Sequence, residues 1–199
     1  MKNNMKALHF FALFVLLLSH GCIIPESNHV APDFYLLSGL PLPADQNPQD
    51  DEFTFYLREI ELPRYLKEPR MVIRPSDHTV QFRESKRWGE PLEDGISRAV
   101  ALNIQNQVRE SQCSIFPNRR KDGLTWDLSI SFSSFEIMGQ EVVVVAKWEA
   151  KKKGADLING SFVHKTQINE SVSVEEEIAA FNYALFELSS KLIKTILVK

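Results

Sequence analysis

The sequence predicts an α+β domain in which two amphipathic helices pack on one face of a mainly antiparallel sheet. Two observations predict the helices: apolar residues recur every four positions in a central segment, and they do so again in the C-terminal segment. A third observation predicts the sheet. Between the two helical segments, three stretches of β-forming residues are joined by short turns, which is typical of an antiparallel meander.

The first half of the chain contains short strands separated by proline-rich loops. We predict strands over 33–39 and 53–62, where aromatic and branched residues are frequent. Two shorter strands, over 71–73 and 78–82, flank a turn at 75–77. These four strands are expected to join the same sheet as the later meander.

The first helix is predicted to begin at Pro91, where a missing amide proton is harmless. Glu93 and Asp94 in its first turn complement the helix dipole. The buried stripe of this helix consists of Ile96, Val100, Ile104 and Val108. We expect the helix to end before Pro117, which makes Cys113 a small, half-buried apolar residue at the helix end.

The clearest strand covers 124–132, where apolar and polar residues alternate so that one face is buried. The alternation shifts at 133–135, which predicts a bulge. Strands over 142–150 and 157–168 complete the meander, with a turn near Gly139.

The last helix is predicted from a capping box, in which Ser173 caps the helix and Glu176 reaches back to the cap. The carboxylates at 175–177 suit a helix N-terminus electrostatically. Its buried stripe consists of Ile178, Phe181, Leu185, Leu188, Leu192 and Ile196.

Residues 1–21 are predicted to be a secretory signal peptide. Lys2 and Lys6 precede a 12-residue apolar run over 7–18 that only His9 interrupts. A membrane-spanning helix needs roughly 20 apolar residues, so this run is too short to be one. A positive start, a short apolar core and small residues before a cut are typical of a signal peptide.

Cys22 follows that cut and is predicted to be acylated, because its position resembles the lipobox of bacterial lipoproteins. Ser19 and Gly21 also form a small-x-small site for ordinary signal peptidase. That route leaves Cys22 as a free thiol, able to pair with Cys113 in an oxidising compartment. Residues 22–32 are predicted to be the lipidated cysteine and a tether, whose ten residues after the cysteine reach about 33–36 Å when extended.

Composition excludes several functional classes. The formal net charge of the 199-residue chain is −3, and it falls to −5 once the two lysines of the signal peptide are removed. No lysine or arginine stripe is present, so we predict no nucleic-acid partner. No His-x-x-His, Cys-x-x-Cys or Gly-x-Ser-x-Gly spacing occurs. We therefore predict no catalytic residue, no metal and no cofactor, apart from the covalent lipid on Cys22.

Three motifs between residues 62 and 92 have the order found in one protein family. They are Leu62-Pro63-Arg64-Tyr65-Leu66, Pro69-Arg70-Met71-Val72-Ile73-Arg74 and Arg87-Trp88-Gly89-Glu90-Pro91-Leu92. They resemble the Leu-Pro-x-Tyr-Leu, Pro-x-x-Val-x-Arg and Arg-Trp-x-Glu-Pro-Leu segments of the ABC-type transport auxiliary lipoproteins, which include paraquat-inducible protein C. On this resemblance we predict that 33–199 is an auxiliary lipoprotein domain.

The resemblance implies a non-enzymatic lipoprotein on the periplasmic face of the outer membrane. Such a protein docks or supports an intermembrane lipid-transport complex, and its implied partner is a mammalian-cell-entry-domain protein of an ABC-type transporter. A homo-oligomer would fit a conduit of this kind. Ile23, rather than an aspartate, follows Cys22, which favours the outer membrane. The alternatives are a periplasmic lipid-binding carrier and an envelope scaffold lipoprotein.

The candidate interaction surface is formed by Arg74, Arg87, Trp88 and Glu90, because exposed tryptophans and arginines favour interfaces. A structural interpretation stands beside it. In that interpretation Trp88 packs under the first helix as a core anchor, and Arg87 pairs with a local acid. Glu90 and Pro91 then belong to the helix start.

Overall fold

The structure is a computed structural model that describes residues 31–152, 154–169 and 172–197. These residues contain a mixed eight-stranded sheet and two α-helices. The elements are, in chain order, β1 (Asp33–Tyr35), β2 (Gln49–Leu57), β3 (Arg70–Ser76), β4 (Thr79–Trp88), α1 (Leu92–Gln107), β5 (Val108–Ile115), β6 (Trp126–Met138), β7 (Glu141–Lys152), β8 (Ile158–Gln167) and α2 (Val174–Leu197). The predicted α+β class is confirmed.

The predicted signal peptide and Cys22 lie outside the described residues, as does the tether up to Val30. From Pro32 onward the chain forms one compact unit. Neither helix among the described residues combines the length and apolarity that a membrane crossing requires.

Strand β6 organises the sheet because it pairs along both of its edges. One edge pairs with β7 in antiparallel register over its full length, and β7 pairs with β8 in the same way. The other edge is shared by β2 near Trp126 and by β3 near Ile137, both parallel to β6. The predicted meander is confirmed, and the predicted bulge lies between Phe132 and Ser134.

Parallel pairings also join β1 to β4 and β2 to β5, so the sheet is mixed. Parallel neighbours need a crossover connection rather than a hairpin. Here α1 lies on the connection that leads from β2 to β5, and it packs against both strands.

The first helix begins at Leu92 behind Pro91, as predicted, but it ends at Gln107. Val108 already has extended backbone angles, and the chain continues directly into β5. The helix thus ends before Pro117, as predicted, but the prediction that Cys113 lies at a helix end is wrong, because Cys113 lies in β5. Pairing with β2 over 53–57 fixes the segment as a strand, since tertiary pairing overrides weak local preference.

The second helix begins with the predicted capping box. The Ser173 N–H donates to the Glu176 carboxylate at 2.9 Å, and the Glu176 N–H donates to the Ser173 hydroxyl at 3.3 Å. The predicted stripe is buried throughout. Phe181 of this stripe stacks on Phe135 of β6 with ring centroids 4.5 Å apart, which joins helix to sheet.

Both helices cover one face of the sheet. On β7 the side chains of one face are buried, at Val142, Val144, Ala146, Trp148 and Ala150. Gly160 lies opposite Trp148 in β8, and a Cβ there would come within 2.6 Å of the indole ring. Glycine at this position therefore lets the largest core side chain lie against β8. On the other face Lys147 and Glu149 are exposed, whereas Val143 is buried.

Candidate interaction surfaces

The structure does not bring the four predicted interaction residues together on one exposed surface. Trp88, the last residue of β4, is only 7% exposed. Its ring contacts Phe135 and Phe181, with centroids 6.4 Å and 6.2 Å away. Trp88 is therefore a core residue, as the structural interpretation predicts. It packs against β6 and α2, however, and not under the first helix. Arg87 precedes it in β4 and lies opposite Arg70 of β3.

Glu90 holds the first helix to the segment that follows β1. Arg98 of α1 donates to the Glu90 carboxylate at 2.6 Å and to the Leu37 carbonyl at 2.9 Å. Hydrogen bonding to Glu90 raises the pKa of the Arg98 guanidinium above its ordinary value. Gly95 allows the close approach, since a Cβ there would lie 3.1 Å from the carboxylate.

Amide side chains continue this attachment across the helix pair. The Ser38 N–H donates to Asn182 of α2 at 2.9 Å, and the Leu40 N–H donates to the buried Asn103 of α1 at 2.7 Å. Asn106 donates to the Leu40 carbonyl at 2.8 Å. The segment behind the predicted tether is therefore bound firmly to both helices.

Arg74 belongs to a buried polar cluster with Glu136 and Tyr65. The Arg74 guanidinium lies 3.3 Å from the carboxylate of Glu136, which is 0% exposed, and it also donates to the Asp77 carbonyl at 2.7 Å. Burial, reinforced by the neighbouring Glu136 carboxylate, raises the pKa of Tyr65 to about 12. Arg74 thus neutralises an internal charge.

A second arginine–carboxylate pair connects β4 to the start of α2. Arg83 donates two hydrogen bonds to Glu177, one of them 2.8 Å long. Glu177 is buried, unlike its neighbours Glu175 and Glu176, so its role extends beyond the helix dipole. Together with Arg74, this pair lines a cavity of about 450 Å³. The two arginines that line this cavity, Arg74 and Arg83, are each paired with a carboxylate of the same chain.

A groove of about 600 Å³ lies on the sheet face opposite the helices. We call it the open-face groove. Its floor is formed by β6 at Ser129 and Ser131. Its charged and aromatic lining consists of Tyr56, Arg58, Glu59, Glu61, Phe116, Lys147, Trp148 and Glu149. A groove of this composition suits a polar or charged protein surface.

Sequence reasoning missed the open-face groove because the groove depends on the order of strands β2, β6 and β7 in the sheet. The buried Glu136 was missed as well. Its signal was present, since it is the only acidic residue inside the apolar run 135–138 that follows the bulge.

No metal-binding chemistry emerges among the described residues, where no group of three or more His, Cys, Asp or Glu side chains converges. Cys113 is half-buried in β5, and burial raises the pKa of its thiol. His164 forms a hydrogen bond with Thr166 at 2.6 Å and packs between the rings of Phe162 and Tyr183, so its contacts are structural.

The described residues therefore form an α+β domain with helices on one sheet face and a charged groove on the other. The family model of the ABC-type transport auxiliary lipoprotein component matches residues 35–192, and the chain belongs to this family. The predicted membership is confirmed. Its members are auxiliary transport components, which gives the chain a transport-related accessory role and places it among the membrane-associated lipoproteins of the cell envelope.

Two crystal structures share the fold. One, of an uncharacterized protein, has a TM-score of 0.65 at 16% identity and covers 81% of this chain and 99% of its own. The other, of a Xanthomonas campestris protein with the DUF330 family model, has a TM-score of 0.60 at 18% identity and covers 83% and 93%. No curated protein matches the sequence.

Proposed function

We propose that this chain is a non-enzymatic outer-membrane lipoprotein that docks or supports a mammalian-cell-entry-type intermembrane lipid-transport complex. Family membership supports the transport role. The signal-peptide pattern before Cys22 supports a lipid anchor, and Ile23 in place of an aspartate supports the outer membrane. The proposed partner is the mammalian-cell-entry-domain protein of an ABC-type transporter.

The observation that favours docking is the difference between the two sheet faces, since one is covered by the helices and the other carries a charged groove. The apolar stripes of α1 and α2 are buried against one face. The opposite face carries the open-face groove, with cations at Arg58 and Lys147 and acids at Glu59, Glu61 and Glu149. Charged rims favour specific recognition and rapid association between proteins.

The docking role is tested by cross-linking intact cells that express the full chain with a C-terminal tag, followed by purification and mass spectrometry. We expect recovery of a mammalian-cell-entry-domain protein. An abundant, correctly localised protein that recovers no such partner would overturn the docking proposal.

The two cysteines provide a matched pair for testing the anchor. Metabolic labelling with an alkyne fatty acid should label the wild type and Cys113→Ser, while Cys22→Ser should lose the label. Density-gradient fractionation should then place the labelled protein with the outer membrane. An unmodified N-terminal Cys22 in the mature protein contradicts the anchor.

The open-face groove is tested by reversing its charges. We expect Arg58→Glu combined with Lys147→Glu to reduce the cross-linked partner by about tenfold, since rim and interface charges govern association. The matched control is Lys194→Glu, an exposed lysine on α2. Equal losses in both variants would show that the groove is not the docking site.

A further inference from the structure

Strand β8 forms an outer edge of the sheet, since among the described residues it pairs with β7 alone. The pairing continues in one register from Ile158 to Gln167, and the strand contains no proline. Natural proteins usually keep such edges short, bulged or blocked. Two other strands also end the sheet among the described residues: β1, which has only three residues, and β5, which has eight.

Two contacts show which backbone groups of β8 point away from β7. The Ile168 N–H, just past the strand, donates at 2.9 Å to the carbonyl that precedes β7. The Ser161 carbonyl instead accepts from Lys191 of α2 at 2.9 Å. In an antiparallel strand the N–H and C=O of one residue point to the same side, and the side alternates. The backbone groups of Val163 and Lys165 therefore lie on the outer edge.

Apolar and aromatic side chains flank this edge on both faces of the sheet. On the open face Val163 is 62% exposed and lies beside Val145 in the register. On the helix face, the His164 ring stacks on Phe162 with centroids 6.1 Å apart. It also meets Tyr183 of α2, which is 49% exposed, at 5.8 Å. The edge thus has an apolar contact on each side.

Positive charges surround the centre of the edge. Lys165 follows Val163 on the open face, and Lys147 lies opposite Ser161 in the register. Lys191 reaches the edge from α2. The Lys165 ammonium lies 3.8 Å from the Glu141 carboxylate at one end of the edge, in a pair that is open to solvent. Two other acids, Glu149 of β7 and Glu187 of α2, lie opposite Asn159 and one turn before Lys191.

We propose that the outer edge of β8 binds an extended segment of a partner protein, which adds to the sheet as a further strand. Outward-facing N–H and C=O groups take an extended backbone, and alternate side chains give specificity. On the open face, an apolar side chain would lie beside Val163, with acidic side chains two residues to either side near Lys147 and Lys165.

The same charges disfavour a second copy of this chain as the occupant. Antiparallel self-pairing centred on Val163 would place Lys165 opposite Ser161 of the second copy, with Lys147 of that copy on the next strand of the same face. Two cationic edges would then meet, which is unfavourable, whereas an acidic segment complements these charges. The proposal goes beyond the transport role and holds whichever complex the chain serves.

The test uses the full chain in detergent and a fluorescent peptide, acetyl-Thr-Glu-Thr-Val-Thr-Glu-Thr-amide, followed by fluorescence anisotropy at low salt. Two comparison peptides carry lysines in place of the glutamates, or N-methyl groups on alternate residues that remove the ladder donors. We expect the acidic peptide to bind and both comparison peptides to bind at least about tenfold more weakly, since charge pairs and ladder hydrogen bonds are lost.

Two protein variants test the same edge by changing the protein instead of the peptide. Val163→Pro removes an outward N–H and leaves the bonds to β7 in place, as proline is tolerated at edges. We expect it to weaken binding of the acidic peptide by about tenfold. Val163→Thr, which keeps the N–H, is the matched control. Lys165→Glu should weaken the acidic peptide and strengthen the lysine peptide.

Circular dichroism and thermal melting check that each variant folds, and the Lys165→Glu charge swap decides the question if Val163→Pro does not fold. Absence of saturable binding, equal binding of the three peptides, or binding unchanged in both variants would overturn the proposal. Self-association that Val163→Pro abolishes would identify a second copy as the occupant and overturn the assignment to a partner protein.

Discussion

The buried Arg74–Glu136 pair yields the sharpest prediction, because only one of its two charges has access to solvent. The Glu136 carboxylate is 0% exposed, while the Arg74 side chain is 27% exposed and 3.3 Å away. Replacing Arg74 by Met leaves the carboxylate buried without its cation. We therefore expect Arg74→Met to destabilise the protein strongly.

The magnitude follows from the geometry. Breaking a buried ion pair by removing one partner costs about 3–5 kcal/mol. The lower end applies here because Tyr65 still lies beside Glu136. A loss of about 3 kcal/mol lowers the Tm of a domain of this size by about 6–12 °C. The assay is urea unfolding of the full chain, followed by tryptophan fluorescence.

Two further variants make the prediction refutable. Arg58→Met is the matched control, since Arg58 is 57% exposed and 3.8 Å from Asp127, and exposed pairs contribute about 1 kcal/mol or less. The double variant Arg74→Met with Glu136→Leu should recover most of the loss, because no unpaired charge stays buried. Equal losses for Arg74→Met and Arg58→Met, or no recovery in the double variant, would refute the reasoning.

Three other predictions concern the core, the second helix and a tyrosine. Trp88→Ala should cost about 3–5 kcal/mol in urea unfolding, because it removes an aromatic ring packed between β6 and α2. Ser173→Ala should cost about 1 kcal/mol by the same assay, since it removes a helix cap; Ser173→Asp should retain most of the stability. In an alkaline titration followed at 295 nm, one tyrosine should ionise at about 12, and Tyr65→Phe should abolish that late step. Because the folded pKa of Tyr65 exceeds the unfolded value, its contribution to stability is complete below about pH 10 and is lost as the pH rises towards 12.

The second half of the fold was predictable because its signals are local. The capping box at Ser173 and Glu176, the alternation before the bulge and the periodicity of α2 each depend on residues close in sequence. Strand β5 was not predictable in this way. Its residues alternate weakly, and Val108 continues the helical spacing of α1. Only the register with β2, more than fifty residues earlier, makes the segment a strand.

The candidate surfaces were less predictable than the fold. The family motifs were found because their letters are distinctive, but the letters do not reveal that Trp88 is buried or that Arg74 is paired inside the domain. The open-face groove and the β8 edge depend on strand order, which places Lys147 beside Ser161 and leaves one side of β8 unpaired among the described residues. Topology of this kind has no signature within any one strand.

The composition of the open-face groove separates docking from lipid carriage. An acyl chain gains about 0.8 kcal/mol for each buried CH₂ group. In the groove it would lie against two cations and three carboxylates, all of them exposed in the free protein. Each of these ions that the chain takes out of water costs several kcal/mol, which offsets the gain from several CH₂ groups. A protein surface avoids this cost because it can bring opposite charges and hydrogen-bond partners to each of the five groups. The groove is therefore better suited to a protein partner than to the hydrocarbon part of a transported lipid.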